Sequence, residues 1–423
     1  MRLIQSLALA NRVRVNPLAK PHPWIIVFVC FFALALSFSV RMSLGVAMPT
    51  WEQALNWSRE LISGYGAIGL IVMAVIFPLV GAIVDRAGSR AVLLTGCFAL
   101  AAATAMIANM DAPWQLLVAY GVFGGLGFTL VGNTLVSVMI ARAFDARRGF
   151  ATGIATSGAT GGQLLFVPVI TLAFTTIGWR ASFAIIAVSC VALGVFAFLL
   201  LRGEHTKSRA TDVGKPVGFG ESFRIFMRDP GFHALAASFF VCGVTTTGAI
   251  ETHFIPFAGL CGFPPMPSAI AYSILAGCNI VGMMVFGWLC DRFNRSYLLA
   301  IIYGVRALSF IVLLYVANDY STLILFAIVA GFVEYATLPA TAGLAAARYG
   351  VANLGKAMGL LMTAHSLGAA LGAYAGGRLF VAFGNYDMAW IGSSLSALIA
   401  ALIVFAATDP RHRRPKAFVA ASA

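Results

Sequence analysis

Charge is scarce in this chain, and acid is the scarcer sign: 15 of 423 residues are Asp or Glu, and charged residues of both signs make up 10%. A soluble domain carries about 25%. Hydrophobic residues make up 60%, so a water-facing surface cannot be assembled and a soluble enzyme fold is excluded. No Gly-x-x-x-x-Gly-Lys-Ser/Thr loop occurs, so the chain encodes no ATP motor. His-Glu-x-x-His and Cys-x-x-Cys are also missing. The seven cysteines (30, 97, 190, 242, 261, 278, 290) keep no metal-ligand or redox spacing. They are expected as small buried hydrophobes. No catalytic residue, cofactor or metal is expected.

Long apolar runs fill the space instead. A membrane span needs roughly 20 apolar residues, and about twelve such runs follow one another with short links. They lie near 24–48, 59–84, 91–108, 114–140, 149–174, 181–201, 231–258, 268–290, 297–317, 322–347, 355–380 and 388–407. The predicted fold is an all-α membrane protein of twelve transmembrane helices. The first run is too long for a signal-peptide core and has no obvious cleavage site, so it reads as a retained helix. Ser58 is placed to cap the second.

The net charge of +13 raises the question of nucleic acid, but its placement answers it. Taking the tails and alternate links together, 23 of the 28 Lys and Arg fall on one side. That is the positive-inside pattern, which puts both termini in the cytoplasm. The basic segments lack interleaved aromatics, so no nucleic-acid partner is expected.

The chain is also one unit written twice. Gly149, Gly153, Gly162 and Gly178 reappear as Gly355, Gly359, Gly368 and Gly384, each 206 residues on. The turn Gly81-Ala-Ile-Val-Asp85-Arg86-Ala-Gly88-Ser-Arg90 returns as Gly287-Trp-Leu-Cys-Asp291-Arg292-Phe-Asn-Arg295. A repeat of this length sets the architecture. Residues 24–201 and 231–408 form two pseudo-symmetric six-helix lobes. The stretch 202–230 is a polar cytoplasmic linker without sustained apolar periodicity. The stretches 1–23 and 409–423 are cytoplasmic tails. The repeated turns, each after an even-numbered span, are predicted gates that bond neighbouring helix ends on one face: Gly81, Asp85, Arg86, Arg90, Gly287, Asp291 and Arg292.

A few polar residues sit inside the apolar runs. Arg41 lies deep in the first span, where a charge is costly unless it faces water or a partner. Its repeat mate is Thr247, and Glu251 lies one turn further along the same face. Arg41 and Glu251 fall at similar depth on pseudo-symmetric spans and are predicted to pair when no solute is bound. Arg41, Thr247, Glu251 and Asn279 form the predicted substrate site. Glu251 is the first choice for a coupling proton and Glu334 the second, with His253 and His365 as further sites. Arg306 reads as structural, either alone or as a partner of Glu334.

At this point the chain resembles a transporter of the major facilitator superfamily. The Gly81–Arg90 turn is similar to that superfamily's signature between spans 2 and 3. Phe144-Asp-Ala-Arg147-Arg148-Gly-Phe-Ala151-Thr-Gly153-Ile-Ala155-Thr-Ser-Gly158-Ala-Thr-Gly161-Gly162, with Gly178-Trp179-Arg180, resembles the monocarboxylate-transporter branch, which includes oxalate/formate-type exchangers. Arg41 falls where that branch places a basic substrate-binding residue. Two departures stand out. The branch's acidic motif at the start of span 1 is missing, and its span-8 Asp and Arg align with Asn279 and Met283.

The resemblance implies alternating access about a midplane site. The expected function is secondary, proton-coupled transport of a small organic anion, a monocarboxylate first, by a monomer in a bacterial inner membrane. The expected partners are that carboxylate, protons and the lipid bilayer. Anion exchange, carriage of a bulkier vitamin-like or drug-like solute, and a non-transporting solute sensor are the alternatives.

Overall fold

In a computed structural model, residues 22–144, 148–201, 219–316 and 319–407 are described. The side chains at 81, 82, 85, 141, 142, 148–150, 219, 351 and 352 lie outside that description, as do residues 1–21 and 409–423 of the predicted tails. Among the described residues, twelve helices have the length and apolarity to cross a membrane. In chain order they are α1 (Pro23–Leu55), α2 (Arg59–Ala87), α3 (Ser89–Ala108), α4 (Pro113–Ile140), α5 (Arg148–Thr176) and α6 (Trp179–Leu200). A second six follow as α7 (Pro230–Leu260), α8 (Pro265–Arg292), α9 (Arg295–Leu313), α10 (Tyr320–Tyr349), α11 (Val351–Phe383) and α12 (Asp387–Ala407). Ser58 caps α2, its hydroxyl accepting the Leu61 N–H at 3.2 Å.

Glycine decides how closely these helices approach. A Cβ at Gly125 on α4 would sit 2.6 Å from the Gly69 carbonyl oxygen on α2. Its repeat mate Gly331 on α10 would sit 2.3 Å from the Leu275 carbonyl oxygen on α8. Both members of that contact are shifted by 206, so the duplication seen in the sequence is also a duplicated packing joint. Gly162 against Ala35 and Gly368 against Phe240 join α5 to α1 and α11 to α7 in the same way, at 2.4 and 1.9 Å from carbonyl oxygen. Without water to expel, helices in lipid gain cohesion from such backbone proximity.

The lobes meet on the face away from the chain ends. There Gly45 of α1 lies against the Glu251 and Thr252 carbonyls of α7. Glu60 on α2 bonds Arg378 and Tyr374 on α11 at 3.1 and 3.2 Å. The second lobe's core is split accordingly. One cluster, around Phe254, Phe326 and Trp390, takes in Met42, Val46, Val167 and Ile170 of the first lobe. The other, around Phe232, Tyr303 and Tyr349 near the chain-end face, is built from the second lobe alone. Toward that face Gly153, Gly355 and Gly359 have no neighbour within 4 Å of where a Cβ would be.

The predicted polar linker, 202–230, is described from residue 219 on. Its last part folds as a helix, Phe219–Arg228, whose apolar side the short window concealed. Phe226 is fully buried there, stacked on Phe232 at 5.1 Å. The next residue, Asp229, locks α7 to α10. Its carboxylate accepts from Arg348 at 2.6 and 2.5 Å and from the Tyr349 hydroxyl at 2.6 Å. Burial alone would raise the Asp229 pKa, but the Arg348 and Tyr349 bonds outweigh it and hold the group below its ordinary value. A carboxyl depressed in the fold adds stability above its unfolded pKa of about 3.9 and loses it as pH falls through the folded value. Asp229→Asn is therefore expected to lose on the order of 3 kcal/mol at neutral pH. The deficit should shrink in acid, read as thermal unfolding of purified protein across pH.

Candidate substrate site

Where the two lobes touch near mid-helix, Arg41 of α1 reaches Glu251 of α7. Arg41 Nη2 lies 3.0 Å from Glu251 Oε1 and 2.9 Å from Oε2. The Arg41 side chain is 13% exposed and that of Glu251 1%, so the cation is the partner within reach of a solute. Phe38 lies under the guanidinium at 4.2 Å, and the Tyr120 hydroxyl donates to the Arg41 carbonyl at 2.9 Å. Arg41 Nε is buried and has no acceptor among the described residues. A guanidinium with one edge engaged and another donor idle suits bidentate capture of a carboxylate.

Glu251 is aimed by irregular backbone. Residues Val244–Ile250 of α7 form a π-helical stretch that ends at Glu251, and the Thr252 hydroxyl donates to the Thr247 carbonyl at 2.9 Å. Single π turns inside helices re-aim side chains and recur at functional sites. Thr247, placed in the site by sequence, is buried in this stretch, and its carbonyl is the part described as engaged.

The largest omission from the sequence reading is Tyr335. Its hydroxyl donates to Glu251 and accepts from Arg41 at 3.4 Å and Gln163 at 3.3 Å. It gets there because α10 is interrupted between Glu334 and Thr337. Pro339 cannot donate to the Tyr335 carbonyl four residues back, which Leu338 N–H takes instead at 3.0 Å. Pro339 was the available signal. The freed Tyr335 N–H donates to Asn279 Oδ1 at 3.1 Å, and Arg306 Nη2 takes the Val333 and Glu334 carbonyls at 2.8 and 2.5 Å. Arg306 thus engages the backbone of Glu334. The Glu334 carboxylate bonds Asn279 Nδ2 at 3.2 Å.

The histidines stand apart from Arg41. His253 is held between the Tyr386 hydroxyl (3.0 Å) and the Ala373 carbonyl (2.8 Å). Tyr386 also accepts from Arg59, whose Nε bonds Glu52 at 2.6 Å. This network joins the lobes and fixes both ring nitrogens of His253. His365 on α11 faces α7, 3.5 Å from the Thr246 hydroxyl and beside Phe239.

Of the predicted gates, the Gly81 and Asp85 side chains lie outside the described residues. Arg86 is exposed, and Arg90 bonds the Phe198 carbonyl at 2.7 Å within its own lobe. Asp291 and Arg292 are exposed, with Arg292 resting on Trp288 at 4.1 Å. Gly287 has open space beside it.

A twelve-helix, two-lobed bundle bridged at its seam by a charge pair defines a membrane transporter, not an enzyme. The comparisons agree. The chain belongs to the Major Facilitator Superfamily, whose model matches residues 28–317 and 277–422. It is 27% identical to the MFS-type transporter YcxA of Bacillus subtilis over 87% of this chain and 90% of that one. It is 26% identical to monocarboxylate transporter 13 of Rattus norvegicus, covering 89% and 87%. The fold matches a bacterial homologue of the human lysosomal transporter Spinster, solved inward-facing and occupied, at a TM-score of 0.71. That match has 17% identity and covers 93% of this chain and 99% of that chain.

Proposed function

We propose that this protein carries small organic anions, monocarboxylates first, together with protons across a bacterial inner membrane by alternating access. The carrying observation is the Arg41–Glu251 pair spanning the two lobes. An entering carboxylate engages the Arg41 guanidinium and displaces Glu251. When the solute leaves, Glu251 returns, so the guanidinium is never left uncompensated in a dry seam. The names of the monocarboxylate-transporter relatives support the substrate class. The positive-inside pattern supports cytoplasmic termini. Uphill flux needs a second gradient, since no ATP motif is encoded, and protons supply it.

The test uses the full chain in liposomes with labelled pyruvate as probe. Wild type is expected to show pyruvate counterflow and accumulation under an inward proton gradient. Glu251→Gln removes the competitor for Arg41, so its KM is expected to fall several-fold. Net uptake is expected to be lost with it, because the emptied carrier returns with a bare cation. Counterflow without any response to the proton gradient identifies an anion exchanger. Failure of every carboxylate in a panel overturns the reading in favour of a bulkier or uncharged solute.

A further inference from the structure

We propose that Glu334, not Glu251, holds the coupling proton, and that Asn279 is the positioning residue that presents its carboxyl. The assignment rests on the carrier reading above and deepens it.

The two acids have opposite surroundings. Glu251 is one half of an ion pair and also accepts from the Tyr335 hydroxyl. Glu334 is 1% exposed and, among the described residues, has a single neutral donor, Asn279 Nδ2. Its Oε1 is buried with no partner among the described residues. The ionisable groups around it are Arg41 from α1, Cys242 and Glu251 from α7, Tyr272 from α8, Arg306 from α9 and Tyr335 from α10. Neither cation bonds its carboxylate among the described residues. Arg41 is committed to Glu251. Arg306 has Nη2 on two backbone carbonyls and Nη1 on Cys242 Sγ and Thr245 Oγ1, both at 3.4 Å. An ionised carboxylate left with one amide donor in such a place is strongly disfavoured, and a proton removes that penalty.

Asn279 decides where the proton sits. Its Oδ1 accepts the Tyr335 N–H, which is a fixed donor, so its NH2 must face Glu334. Glu334 Oε2 is thereby an acceptor, and the proton belongs on Oε1. The transport step breaks that O–H bond, passes the proton to water on the release side and leaves the carboxylate. No redox partner is involved. Anion and proton travel together because an anion on Arg41 frees the Glu251 charge, and the site tolerates that added negative charge only while Glu334 is neutral. The same amide ties Glu334 to the interruption in α10 that places Tyr335 on Glu251, which links the proton site to the anion site.

Infrared difference spectroscopy on the purified full chain reads the proton without any ligand. A protonated-carboxyl stretch is expected at neutral pH in wild type, in Glu251→Gln and in Glu334→Asp, which keeps a carboxyl. It should be lost in Glu334→Gln and shifted in Asn279→Ala. In liposomes, one pH unit supports about tenfold accumulation by one-to-one symport. In Glu334→Gln the accumulation of labelled pyruvate should fall to equilibrium, measured against counterflow in the same vesicles. A band that survives Glu334→Gln and vanishes in Glu251→Gln overturns the assignment, as does no band in a wild type that unfolds cooperatively. If the infrared result holds while wild type moves no pyruvate, the carrier reading fails and the proton assignment stands.

Discussion

Arg41→Ala is expected to abolish carboxylate counterflow, by about a hundredfold or more, equivalent to ~2.7 kcal/mol or above. The loss has two physical parts. The solute loses a charge-assisted, two-point contact. Glu251 loses its cation while 1% exposed and must take up a proton or disrupt the seam. The double variant Arg41→Ala/Glu251→Gln separates the parts: it removes the stranded charge and is expected to recover thermal stability without recovering counterflow. Arg41→Lys should be intermediate, since an ammonium keeps the charge but not the planar fork. Undiminished counterflow in Arg41→Ala protein removes the substrate site proposed above.

Gly368→Leu is expected to prevent recovery of folded protein. Its Cβ would sit 1.9 Å from the Phe240 carbonyl oxygen, a backbone atom that cannot rotate away. Helix α11 would have to separate from α7 along its length, at a cost above the 1–3 kcal/mol typical of overpacking. Gly359→Leu on the same helix is the internal control, because no atom lies within 4 Å of its Cβ position. It should give normal yield and a normal unfolding temperature. The measurement is size-exclusion yield and thermal unfolding of both. Equal behaviour of the two variants would refute the claim that backbone proximity holds α11 in place.

The helices, the duplication and the Arg41–Glu251 meeting were legible because each depends on spacing alone. A 206-residue shift predicts which spans are mates, and mates carry their residues to equal depth. Tyr335 was not legible, because its place in the site depends on an interruption of α10 that two distant side chains, Asn279 and Arg306, stabilise. Pro339 announced a break but not which side chain it would redirect. The sequence left Arg306 either structural on its own or the partner of Glu334. The folded chain uses the guanidinium on carbonyls freed by that break. His253 was legible as a packed polar residue or a further proton candidate, but its partners, Tyr386 and Ala373, were not, both being more than a hundred residues away. The linker helix Phe219–Arg228 spans fewer than three turns, too short for its period to emerge from a basic background.

Duplication gave both lobes the same joints but not the same residue at the mate positions of α1 and α7: Arg41 in the first, Thr247 in the second. On the carrier reading proposed above, a solute has a head and a tail here. Its negative end would be drawn to the first lobe in every cycle, and whatever follows would lie toward the second. A dicarboxylate would find one end matched and the other facing tyrosine and asparagine. Handing the arginine across, as Arg41→Thr with Thr247→Arg, would turn the solute end for end.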